Sequence, residues 1–163
     1  MSGEKGYYIG QSVLSPSGSG SSQIKSLSAD KTDAGTATLS AISGVTLNIV
    51  NGATYAIDAF GTYDADVTVG AALDLNGGTA TVSYRKAEAM YWDGGASPNL
   101  ESPITALNTK TGGVFSASSG SISIRGLLIC NGSGTLIPRW AVFQAGAGNA
   151  KLYKNFWMKL TQI

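Results

Sequence analysis

Histidine does not occur among the 163 residues. Its absence removes the commonest general base and the commonest metal ligand, and it makes a Ser-His-Asp triad impossible. The single cysteine, Cys130, cannot close an internal disulfide, so nothing in the chain depends on an oxidising compartment. Charged residues make up 13% and the net charge is +1. Neither a basic face for nucleic acid nor an acidic face for cations is advertised. No apolar run approaches the roughly 20 residues that span a bilayer. The opening MSGEKGYYIG carries a charge pair and two tyrosines where a signal peptide would have an apolar core. The expectation is a soluble protein made in the cytoplasm, without nucleic-acid or membrane partners and without a cofactor.

What remains is rich in Gly, Ser, Thr and Ala, a composition suited to strands joined by tight turns. From Thr36 onward the pattern has period two. In VTLNIV, Val45, Leu47 and Ile49 face one way while Thr46 and Asn48 face the other, and Asn51-Gly52 follows as a turn. In TYAIDAFGTYDAD, Tyr55, Ile57, Ala59 and Tyr63 share a face. Asn76-Gly77-Gly78 then separates two more strands. The segment Ser121 to Ile163 reads as three strands, SISIRGLLIC, GTLIPRWAVFQA and KLYKNFWMKLTQI, the last closing the chain with no tail. Asn131-Gly132 is a strong hairpin signal between the first two. Seven or eight strands spaced by turn signals predict an all-β antiparallel sandwich or jelly roll with no helix.

The organisation predicted is an N-terminal arm over residues 1–35 and a β domain over residues 36–163. Ser15 to Ser22 is a Gly/Ser linker. Tyr7, Tyr8, Ile9, Val13 and Leu14 give the arm an apolar, aromatic tip. The arm reads either as an edge strand on the domain's own sheet or as a segment that docks on a partner and orders there. Residues 93–113 form a long polar connection with two prolines, Pro98 and Pro103, a length that marks a functional or partner-contacting loop. Tyr91 and Trp92 are assigned to its start as a partner-contact pair.

Two strands of the C-terminal block are apolar on both faces. Leu136, Trp140 and Val142 oppose Ile137, Ala141 and Phe143, and Phe156, Met158 and Leu160 oppose Trp157 and Lys159. One face fills a core and the second needs another cover. Homo-oligomerisation through Trp140, Phe143 and Trp157 is the reading, with cover by the arm or the long loop as its rival. Pro138 cannot donate to a ladder and implies a bulge or an edge position.

Acidic residues are few. Asp64-x-Asp66 and Asp30-x-x-Asp33 have the look of calcium-site fragments, but turn capping explains them more simply. Glu88, Asp93 and Glu101 bracket Trp92 as glycosidase carboxylates would, and loop solvation is the simpler account. No catalytic and no metal-ligating residue is assigned.

The pattern over residues 38–163 resembles the small jelly-roll proteins of tailed-phage virions. The matching positions are Gly52, Tyr55, Ala59 and Tyr63, then Leu75-Asn76-Gly77, then Gly126-Leu127-Leu128, then Gly134-Thr135-Leu136 with Arg139-Trp140-Ala141. The closing strand departs from that pattern, with Asn155-Phe156-Trp157 where Gly-Ser-aromatic is common. The resemblance implies a trimer of the tumour-necrosis-factor-like fold that serves as a capsid decoration or cement protein. Its partners would be other copies of itself and the major capsid protein, and its place the capsid surface of the virion. The alternative it implies is a tail-fibre or receptor-binding tip that contacts a host surface glycan.

Overall fold

Alternating burial along β5 (Thr54–Ala65) sets the architecture. Tyr55, Ile57, Ala59, Tyr63 and Ala65 are buried, while Asp58 and Phe60 stand on the opposite face. A strand with one apolar face needs a second layer against that face, and the chain supplies it. The computed structural model describes residues 21–75, 77–94, 100–104, 107–115 and 118–163. Among them it contains fourteen strands and no helix.

The large sheet runs in the order β1 (Ser22–Ser26), β14 (Trp157–Gln162), β5, β10 (Ser119–Gly132), β7 (Thr81–Asp93) and β8 (Leu100–Ile104). Every pairing is antiparallel. At one end, β13 (Asn149–Leu152) bridges the tip of β5 to β2 (Lys31–Ala34). The smaller sheet is β3 (Ser40–Ala41), β12 (Arg139–Val142), β6 (Ala71–Asp74) and β9 (Thr111–Gly113), and β4 (Leu47–Ile49) pairs with β11 (Gly134–Leu136). The layers close over one core, and the predicted all-β sandwich is what the described residues form.

An aromatic cluster joins the layers. Tyr63, Tyr91, Phe115 and Trp140 meet with ring centroids 5.3 to 6.2 Å apart, distances at which edge-on and offset rings attract. The Tyr91 hydroxyl donates to the Thr111 carbonyl at 2.9 Å and the Thr111 hydroxyl donates to the Leu73 carbonyl at 3.0 Å, which ties β7 to β9 and β6. Asp74, fully buried, receives the guanidinium of Arg139 from the neighbouring strand. That carboxylate beside it holds the Arg139 pKa above its ordinary value.

Several expectations change. Within residues 1–35, β1 and β2 are strands of the large sheet, β1 at its edge as the edge-strand reading has it; residues 1–20, with Tyr7, Tyr8, Ile9, Val13 and Leu14, lie outside the described residues. The hairpin at Asn131-Gly132 does not form. Both edges of β10 are already occupied, by β5 and β7, so the chain continues straight through Gly132 and the next strand pairs with β4 instead. The strand expected over 134–145 is two strands. It breaks at Ile137-Pro138, where Pro138 has no N–H to give and its carbonyl accepts from Ile42 N at 2.8 Å. The long connection over 93–113 also carries two strands, β8 and β9, and Pro103 sits on β8 at the sheet edge, where a missing donor is tolerated.

Cys130 is 1% exposed, and burial pushes its thiol up to about 11. A thiol so placed is almost wholly protonated and shielded near neutrality. Ellman's reagent at pH 8 is therefore expected to release no chromophore from the native protein and one equivalent after denaturation. A prompt native reaction would mean that this end of β10 opens readily.

Candidate binding surfaces

Burial separates the residues assigned from sequence to an interface. Trp140 is fully buried, its ring against Tyr63 and its indole N–H donating to the Ala150 carbonyl at 3.2 Å. It is a core residue and offers nothing to a partner. Ala141, on the opposite face of β12, is also fully buried, so the protomer itself covers much of that second face. Phe143 lies half-buried just beyond β12, with the Lys110 ammonium 5.2 Å from its ring centroid. Trp157 alone of the three stands on the outer face of the large sheet, half-buried. The three residues do not form one surface.

Tyr91 and Trp92 are likewise split, because both belong to β7 and not to a loop. Consecutive strand residues point to opposite faces. Tyr91 enters the core, where burial raises its pKa well above the usual phenol range. Trp92 points outward, in register with Ser121 and, one strand further, Thr62.

The outer face of the large sheet carries four of the eight exposed large apolar side chains among the described residues. Ile24 is 61% exposed, Phe60 39%, Leu127 38% and Ile129 37%; Trp157, Met90 and Trp92 are half-buried on the same face. The outward charges of this face include Lys159, Asp58, Arg125, Glu88 and Lys86, with Asp64 at one end. Their common face is a consequence of strand pairing, which single-strand periodicity does not reveal.

At one end of this face Thr62, Asp64, Trp92, Ser119, Ser121 and Tyr153 line an open groove of about 480 Å³. Tyr153 OH donates to Asp64 Oδ2, and this bond raises the Tyr153 pKa. Lys151 lies 4.5 Å from the centroid of the Tyr153 ring and 2.9 Å from Asp30, whose carboxylate it holds below the ordinary range. Tyr63 lines the groove from below, and its buried hydroxyl makes no hydrogen bond among the described residues.

The other acidic residues hold the fold. Asp66 accepts from Thr68 N at 3.0 Å and Thr68 Oγ1 at 2.8 Å, capping its own turn with a lowered pKa. Asp30 accepts from Lys154 N, and Asp33 from the Thr36 and Ser40 hydroxyls. Among the described residues no group of three or more potential ligand side chains is placed to hold a metal ion. Glu88 and Asp93 sit five residues apart on β7, hence on opposite faces and about 17 Å apart along the strand. That exceeds the roughly 5–10 Å at which paired carboxylates act on a glycosidic bond.

No protein-family model matches this chain, and no curated protein matches it.

Proposed function

We propose that this protein is a virion structural protein of the capsid decoration or cement type. In this reading it is a jelly-roll homotrimer that binds the major capsid protein and stabilises the shell. The observation that carries the reading is the outer face of the large sheet, which exposes Ile24, Phe60, Leu127 and Ile129 beside Trp157. Apolar surface gathered in this way on one sheet face fits a partner. The strand-and-turn resemblance over residues 38–163 supplies the class of partner. The absence of histidine supports a binding role over catalysis.

The arm supplies the grip. In this reading the residues ahead of β1, the edge strand of the large sheet, reach the capsid, with Tyr7, Tyr8, Ile9, Val13 and Leu14 as the docking side chains. Three such arms on one trimer bind far more tightly than one, because the first to dock raises the effective concentration of the others.

A second reading, a fibre or receptor-binding tip, is favoured by one observation. The groove between Trp92 and Tyr153 offers aromatic walls, the Asp64 carboxylate and the hydroxyls of Thr62, Ser119 and Ser121. Aromatic faces with nearby acceptors are the chemistry that takes a sugar ring.

Labelling intact virions with an antibody to the protein separates the readings. Uniform density over the head is expected; density confined to the tail would favour the fibre tip, and virions without label would sink both. Deleting residues 2–20 leaves β1 whole and is expected to leave thermal unfolding unchanged while lowering particle binding at least tenfold. Full decoration by the truncated protein would remove the arm as anchor.

A further inference from the structure

Strand register places one residue from each of six strands in a single row across the outer face of the large sheet. From β1 to β8 the row reads Ile24, Lys159, Asp58, Arg125, Glu88 and Pro103. Four charges alternate in sign, and an apolar residue closes each end. Only 21 of the 163 residues are charged, so four of them in strict alternation on one line is a pattern to be explained. Neighbouring pairs help hold the strands together, at about 0.2–1 kcal/mol each. The Arg125–Asp58 pair is loose, at 3.8 Å, with side chains 81% and 49% exposed. Arg125 keeps most of its side-chain surface free and Asp58 about half.

The row has a symmetry that a cross-strand ladder does not require. It is antisymmetric about its midpoint, which lies between β5 and β10. Turn a second copy about a two-fold axis through that midpoint, parallel to the strands and just above the face. Asp58 then meets Arg125 of the other copy, Lys159 meets Glu88, and Ile24 meets Pro103. Every charge meets its opposite. A two-fold axis along the row instead sets each charge against itself, and like charges face to face repel.

The flanking rows agree. On one side, Trp157, Phe60, Ser123 and Met90 follow one another from β14 to β7. Under the first axis Trp157 packs on Met90 of the other copy and Phe60 on Ser123. On the other side the row reads Thr161, Ala56, Leu127 and Lys86, so Ala56 meets Leu127 and Thr161 meets Lys86, with no like charges opposed. Five strand spacings span about 24 Å, and three rows, each about 7 Å deep, about 20 Å. The pair of faces therefore offers about 1,000 Å² in total, the size at which specific interfaces begin. Two twisted sheets stack with their strands within about 30° of each other, and the central strands here carry Asp58 and Arg125.

We propose that the outer face of the large sheet is a self-association surface that takes a second copy of this chain about a two-fold axis between β5 and β10. The inference does not depend on the virion reading, and within that reading it makes another copy of this chain, not the capsid protein, the partner of this face. The axis pairs two monomers or joins two trimers, and in either case breaking it halves the particle mass.

Two charge exchanges, each preserving net charge, test it on the full chain by analytical ultracentrifugation. R125E/E88R makes the row read plus, minus, minus, plus, so the proposed axis sets like over like. D58R/R125D makes it plus, plus, minus, minus, which is still antisymmetric. The mass of R125E/E88R is expected to fall to half that of the wild type, with association weakened at least tenfold. D58R/R125D is expected to associate like the wild type. Equal behaviour of the two variants, or a wild type that is monomeric at all concentrations because its own arm or another protein covers the face, would overturn the proposal. Circular dichroism checks that both variants fold. Should either fail, the double substitution I24C/P103C reads the same axis. Its two sites lie about 24 Å apart within one copy, too far to bridge. Mild oxidation is expected to give covalent dimers of the double variant and of neither single variant. Equal cross-linking of I24C alone would also overturn the axis.

Discussion

Trp140→Ala is expected to cost about 3–5 kcal/mol of folding stability and to lower the midpoint of thermal unfolding by about 10 °C. The indole is fully buried where the two layers meet, tilted against Tyr63 at 5.9 Å. Truncation removes its transfer free energy and leaves a cavity that both sheets resist filling. It also strips the Ala150 carbonyl of the indole N–H that reaches it at 3.2 Å, so a buried acceptor loses a partner. Trp140→Phe keeps most of the ring and is expected to fall between, at about 1–2 kcal/mol. The same truncation at Trp157, which is half-buried on the outer face, is expected to cost the protomer about 1 kcal/mol. Denaturant titrations of the three variants decide the matter. A Trp140→Ala protein as stable as the wild type would remove Trp140 from the core.

Gly112→Ala is expected to destabilise by about 4 kcal/mol, with the damage centred on the pairing of β9 with β6. The residue has φ of +140°, which L side chains rarely adopt, and a Cβ there would lie 2.1 Å from the Ala71 carbonyl oxygen and 2.8 Å from Ala72 Cα. Both obstacles are backbone, so no rotamer change relieves the clash. Backbone strain of about 1–3 kcal/mol adds to an overpacking cost of similar size. Gly44→Ala is the control. Gly44 also has positive φ, +88°, but its Cβ would meet nothing within 4 Å, so about 1 kcal/mol is expected. Hydrogen exchange would show the difference as early loss of protection in β6 and β9. Equal effects at Gly112 and Gly44 would mean that the close approach to β6 is unimportant.

Period-two alternation made much of this fold legible from sequence. Val45, Leu47 and Ile49 point inward as expected, as do Tyr55, Ile57, Ala59 and Tyr63, and Phe156, Met158 and Leu160. Alternation assigns faces but carries no information on which strand lies beside which. That is why the Asn131-Gly132 turn signal misled: a local preference for a hairpin yields when both neighbours of β10 are already in place. The polar residues that begin at Asp93 suggest a loop at Tyr91, but its parity with Ala87 and Ala89, both buried, is the better guide. Trp140 shares its side with Leu136 and Val142, and all three are buried. An aromatic on a strand apolar on both faces belongs to the core until its second face is found uncovered. The groove residues Asp64, Trp92 and Tyr153 come from three separate strands or turns, and only pairing brings them together.

The position of β14 has a consequence for how the chain is made. This strand, Trp157–Gln162, is the last of the sheet in sequence, yet it lies inside, between β1 and β5. Until it leaves the ribosome, one edge of β5 is open along the segment that later binds it, and Ser22–Ser26 has no partner. Contacts between residues near 22 and near 161 close the longest loop among the described residues, and such closures slow folding. The nascent protein therefore waits with an unpaired apolar edge, the condition in which strands pair wrongly between chains. Synthesis at a pace matched to chaperone supply matters more for this protein than its size would suggest.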